Sequence, residues 1–74
     1  MAQPVRDVSI RDESIRLGQF LKLADLIDNG SDAKAAISAG EVTVNGDTET
    51  RRGRQLRRGD TVTFGDQSAR VAAQ

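Results

Sequence analysis

The 74 residues contain no cysteine, histidine, tryptophan or tyrosine, and a single proline. Without cysteine or histidine there is no disulfide framework, no thiolate nucleophile, no Cys/His zinc site and no imidazole to act as general base. An enzyme built from this chain would have to work with carboxylates, lysine, serine or threonine, and no catalytic residue, metal ligand or cofactor is expected. The only aromatic residues, Phe20 and Phe64, fall at core-facing positions. That leaves no stacking platform of the kind that binds a bare nucleic-acid strand. No apolar run exceeds four residues, against the roughly 20 that span a bilayer, and the opening MAQPVRDVS has no apolar signal core. The chain is therefore expected to be soluble, cytoplasmic and monomeric. At this length it forms one domain, residues 1 to 74, with a small core, because so short a chain buries only about 60% of the surface it exposes when unfolded.

Net charge is also lacking: eleven Lys and Arg balance eleven Asp and Glu. The balance hides a separation. Residues 1 to 50 hold five basic and nine acidic residues, whereas residues 51 to 74 hold six arginines and two aspartates. Five of those arginines, Arg51, Arg52, Arg54, Arg57 and Arg58, lie within the stretch TRRGRQLRRGD. Arginine's planar fork of donors matches phosphate oxygens, and each phosphate neutralised releases counterions, so such a cluster suits a nucleic-acid backbone. The competing reading is a solvated, salt-bridged surface loop. Gly53 and Gly59 bend the segment, and Leu56 is positioned to anchor its middle to the core.

The periodicity gives the frame. Residues 1 to 4 read as a frayed end, Val5 to Arg11 alternate as a strand, and a second extended piece surrounds Ile15. Leu17, Phe20, Leu21, Ala24 and Ile27 then follow helical spacing, with Gly18 as N-cap and Asn29-Gly30 as the end. Ser31 caps a second helix with Asp32 near its positive end and Ala33, Ala36 and Ile37 as its apolar stripe, and Gly40 stops it. Val42 and Val44 alternate into Asn45-Gly46, a pair favoured in type I′ turns. Turns at Arg58-Gly59-Asp60 and Gly65-Asp66 flank a strand TVTF, and ARVAA forms the last strand. The fold class is α+β: two short helices packed on a small antiparallel sheet, with Phe20, Leu21, Ile37, Val44, Leu56, Val62 and Phe64 in the common core.

Lys22 and Lys34, the only lysines, lie off the apolar stripes and reach solvent. Taken singly, each reads as an ordinary surface lysine. Asp25 and Asp28, one helical turn apart, read as a solvated acidic face, because a catalytic carboxylate pair needs a pocket to separate its pKa values.

Taken together, Arg16-Leu17, Ala33-Lys34 and Gly40-Glu41-Val42-Thr43-Val44-Asn45-Gly46 resemble the S-four-like RNA-binding domain, named for a small-subunit ribosomal protein. The basic TRRGRQLRRGDTVTF that follows resembles its small stand-alone bacterial branch, the YbcJ type. The likeness runs from about residue 15 to residue 64. It implies an alpha-L motif, in which two helices and the loop into the hairpin present one basic surface to structured RNA, such as ribosomal or transfer RNA. The contacts it implies are Arg16, Lys22, Lys34, Arg51, Arg52 and Arg54, with Arg57 and Arg58 completing the arginine segment. One departure stands out. Many members carry Ser-Arg just before the second helix, where this chain has Asn29-Gly30 beside Asp28 and Asp32. The arginine loop is therefore expected to outweigh the helix start, with modest affinity. A protein-interaction module of ubiquitin-like or sulfur-carrier-like type is the alternative, its arginine loop facing an acidic partner. Those carriers need a Gly-Gly carboxyl terminus, and this chain ends VAAQ.

Overall fold

The structure, a computed structural model, describes residues 5–73; the frayed end expected at residues 1 to 4 lies outside them. The elements run β1 (Arg6–Ile10), β2 (Ser14–Arg16), α1 (Leu17–Leu23), α2 (Gly30–Ser38), β3 (Val42–Val44), β4 (Asp47–Thr48), β5 (Gln55–Arg57), β6 (Thr61–Phe64) and β7 (Gln67–Ala73). A five-stranded sheet has the order β1-β7-β6-β3-β4, and β2 and β5 form a separate two-stranded ribbon. Two features of the strands differ from the sequence expectation. The sheet is mixed, because β1 joins β7 in parallel, Asp7 opposite Arg70. The strand β5 was not anticipated, though Leu56 at its centre is fully buried. No helix among the described residues is long and apolar enough to cross a membrane.

The first helix is shorter than its apolar spacing suggests. It stops at Leu23 because Asp25 takes a left-handed conformation, φ 61°. The Asp25 amide then donates to the Lys22 carbonyl at 3.0 Å and the Leu26 amide to the Leu21 carbonyl at 3.0 Å, a Schellman closure. Leu26 and Ile27 still enter the core, so the apolar pattern outlasts the helix. Asn29 does not end α1; it caps α2. Its side-chain oxygen accepts from the Asp32 amide at 2.9 Å and its amide nitrogen donates to the Asp32 carboxylate at 3.1 Å, so Ser31 is displaced from the expected cap to a helical position. At the other end Gly40, at φ 76°, closes α2 as expected.

Gly18 is likewise inside α1 and not at its cap. Arg16 occupies the cap position without any side-chain bond to the helix. Backbone carbonyls from the arginine loop take over, Arg54 accepting from the Leu17 amide at 2.9 Å and Arg52 from the Gly18 amide at 3.1 Å. A Cβ on Gly18 would fall 2.8 Å from the Arg52 Cγ. Glycine here leaves room for the stem of the Arg52 side chain against the helix; the loop backbone itself would stay at ordinary contact distance, 3.7 Å.

Asn45-Gly46 forms the expected tight turn between β3 and β4, both residues at positive φ. Asn45 also ties this turn to the start of β6, accepting from the Thr61 amide at 2.9 Å and donating to Asp60 at 3.1 Å. Leu17, Phe20, Leu21, Ile37, Leu56, Val42, Val44, Val62 and Val71 are fully buried. Phe64, expected with them, is only partly buried and packs against the core from its rim.

Candidate nucleic-acid interface

An open groove of about 670 Å³ runs between the two helices and the arginine loop. The end of β2 and α1 bring Arg16 and Lys22 to it, the first turns of α2 bring Lys34, and the loop brings Arg52. No carboxylate lines it among the described residues. All four cations are exposed, and none forms an ion pair among the described residues. Gly30 and Ser31 add the amino-terminal end of α2 to the wall, where unsatisfied backbone N–H groups and the helix dipole favour an anion. Lys22 and Lys34 are twelve positions apart in the chain. Their convergence depends on the sharp turn at Asp25 and on the pairing of α1 with α2.

The arginine segment is not gathered on one surface. Arg52 alone of the five lines the groove, beside Gly53. Arg51 and Arg54 are turned onto Glu49, whose side chain is only 7% exposed. The Arg51 amide and Nε each donate to Glu49 Oε2 at 3.0 Å, Arg51 Nη2 donates to Oε1 at 3.2 Å, and Arg54 Nη1 donates to Oε1 at 3.0 Å. Arg57 and Arg58, exposed on β5 and in the turn after it, do not line the groove. Asp28 and Asp32, expected to weaken the start of α2, line a different groove beyond that helix.

Glu49 is the residue that sequence reasoning missed. An acid two positions ahead of the arginine run was the available signal. The Arg51 side chain, then Arg54, then the Arg51 amide hold its carboxyl at about 2, below its ordinary 4.5, against the opposing effect of desolvation. The Arg51 guanidinium is shifted upward by the same contact. Because the folded value is the lower one, the stabilisation is complete above about 4.5 and is lost as pH falls toward 2. Thermal melts should therefore show Tm dropping across that window. Glu49→Gln should melt lower at pH 7 and lose that share of the acid sensitivity; parallel Tm profiles for the two proteins would contradict the assignment.

Residues 8–72 match the family model described as S4 domain. A protein of Bacillus subtilis named "Probable ribosome maturation protein RlbA" is 53% identical over 62 residues, 84% of this chain and 83% of its own length. YbcJ of Escherichia coli is 39% identical over 59 residues, 80% of this chain and 84% of that protein. The solution structure of YbcJ, described as revealing an alfaL motif involved in RNA binding, superimposes with a TM-score of 0.72 at 33% identity, covering 96% of this chain and 91% of the other. The ribosomal protein S4e of Thermoplasma acidophilum shares the fold alone, with a TM-score of 0.62 at 23% identity over 81% of this chain and 32% of its own.

Proposed function

We propose that this chain, which belongs to the S4 domain family, binds structured RNA through the groove between α1, α2 and the arginine loop. The observation that carries the proposal is the convergence of Arg16, Lys22, Lys34 and Arg52 on one surface free of carboxylates. Four unpaired cations of this kind suit the closely spaced phosphates of a folded RNA. Stacking on unpaired bases is disfavoured, because Phe20 is buried and Phe64 lies in the groove on the other side of α2. The names of the relatives support ribosomal RNA during ribosome maturation as the target. The protein is read as a binding module without catalysis, acting as a monomer in the cytoplasm. Neither the fold nor the relatives described favour a ubiquitin-like or sulfur-carrier-like module.

The test is a salt series with a fluorescently labelled ribosomal RNA hairpin, followed by anisotropy. With four phosphates neutralised, the logarithm of the association constant should fall with the logarithm of salt at a slope of about −3 to −4. A slope near zero, or no binding at low salt, overturns the proposal.

A further inference from the structure

Beyond α2 lies a second groove, of about 480 Å³, whose character is opposite to that of the first. Its floor is apolar, made by Leu26, Ile27 and the partly buried ring of Phe64, and its rim carries Asp28, Asp32 and Glu41. No lysine or arginine lines it, and none of the three carboxylates has a cationic partner among the described residues. Three acids elsewhere are engaged, Asp7 with Arg70, Glu49 with two arginines, and Asp60 with Asn45 and the Arg57 amide, whereas Asp28, Asp32 and Glu41 share one apolar groove. Along the α2 wall Ala35 and Ala39 are exposed, so a polypeptide backbone could lie against the helix without meeting a large side chain.

We infer that this groove docks a Lys/Arg-rich polypeptide segment of another protein, its charges facing the acidic rim and an apolar side chain resting on Phe64. Charge complementarity selects this occupant. Phosphates would be repelled by the rim, and an uncharged apolar segment would desolvate Asp28 and Glu41 without a partner and Asp32 with only its Asn29 contact. Proteins that share an RNA carry such basic segments, since they too must neutralise phosphates. With RNA on one side of α2 and a basic protein on the other, the chain would join the two.

The docking needs no RNA, so it can be tested separately from the first groove. A suitable probe is a twelve-residue peptide alternating Lys and Ser with a single central Leu, titrated into the 15N-labelled full chain. Amide shifts should concentrate at Ala35, Ala39 and Glu41. The double variant Asp28→Asn/Glu41→Gln and the single variant Ala35→Arg should each weaken binding at least tenfold, while affinity for the RNA hairpin stays within twofold of the parent. Asp32 is left in place because Asn29 holds it at the helix cap. Shifts located instead at Lys22 and Arg52, equal affinity in the double variant, or equal binding of a peptide with Lys replaced by Gln would each overturn the inference. Self-association of the parent that is abolished in the double variant would also overturn it, by assigning the groove to a second copy of the chain.

Discussion

Replacing Lys22, Lys34 and Arg52 together by glutamine is expected to weaken binding to structured RNA on the order of 100-fold at about 0.15 M salt. Each phosphate contact contributes a slope of about −0.9, so three lost contacts remove about 2.7 from the salt dependence, which corresponds to roughly two decades between 0.15 M and the 1 M reference. The residual slope, carried by Arg16, should be about −1. Because backbone contacts carry no direct sequence information, the loss should be similar for every structured RNA tried. All three side chains are exposed, and surface substitutions usually change stability by no more than about 0.5 kcal/mol each, so the variant should stay folded. Affinity within twofold of the parent would remove the groove as the site. The choice of residues follows from Glu49. Substituting Arg51 and Arg54 would strip a buried carboxylate of its partners and confound binding with stability.

The largest stability effect that also reaches the site is expected at Leu56. Truncating a fully buried leucine costs about 2–5 kcal/mol, and a 74-residue domain has a total of roughly 4–11 kcal/mol to lose. Leu56→Ala should therefore move the urea midpoint far down and leave a measurable unfolded fraction in water. Its position adds a second consequence. Leu56 pins β5 to the core, two residues after the carbonyl of Arg54 that caps α1. Loosening it should loosen the loop that carries Arg52, so RNA affinity corrected for the folded fraction should also fall. A stability change below 0.5 kcal/mol would contradict the burial of this side chain.

What could be read from the sequence followed from local rules. The Ala33, Ala36 and Ile37 stripe, the Asn45-Gly46 turn and the anchoring of Leu56 each rest on a few adjacent residues, and the structure bears them out. The parallel pairing of β1 with β7 was not legible, since alternation identifies a strand but not its distant partner. The end of α1 was misread because Asp25, unlike glycine, does not announce a left-handed residue. The division of the arginine segment was hidden for the same kind of reason. Arg51 and Arg54 turn toward Glu49 while Arg52 faces the groove, in a loop whose Arg52 carbonyl accepts from the Gly18 amide, a contact between residues more than thirty positions apart that no local rule reveals.

The pairing of β1 with β7 also imposes a delay during synthesis. Among the described residues the sheet gives β1 no neighbour except β7, and Asp7 and Arg70, opposite each other, are 63 residues apart. At about 5–20 residues per second, the first strand waits roughly 3 to 13 seconds for its partner to be made. From the moment it leaves the ribosome until β7 arrives, its backbone donors and acceptors are open to any other extended chain. Its brevity, five residues, and its charges at Arg6 and Asp7 limit that hazard. The domain thus completes its sheet only when its last strand has left the ribosome.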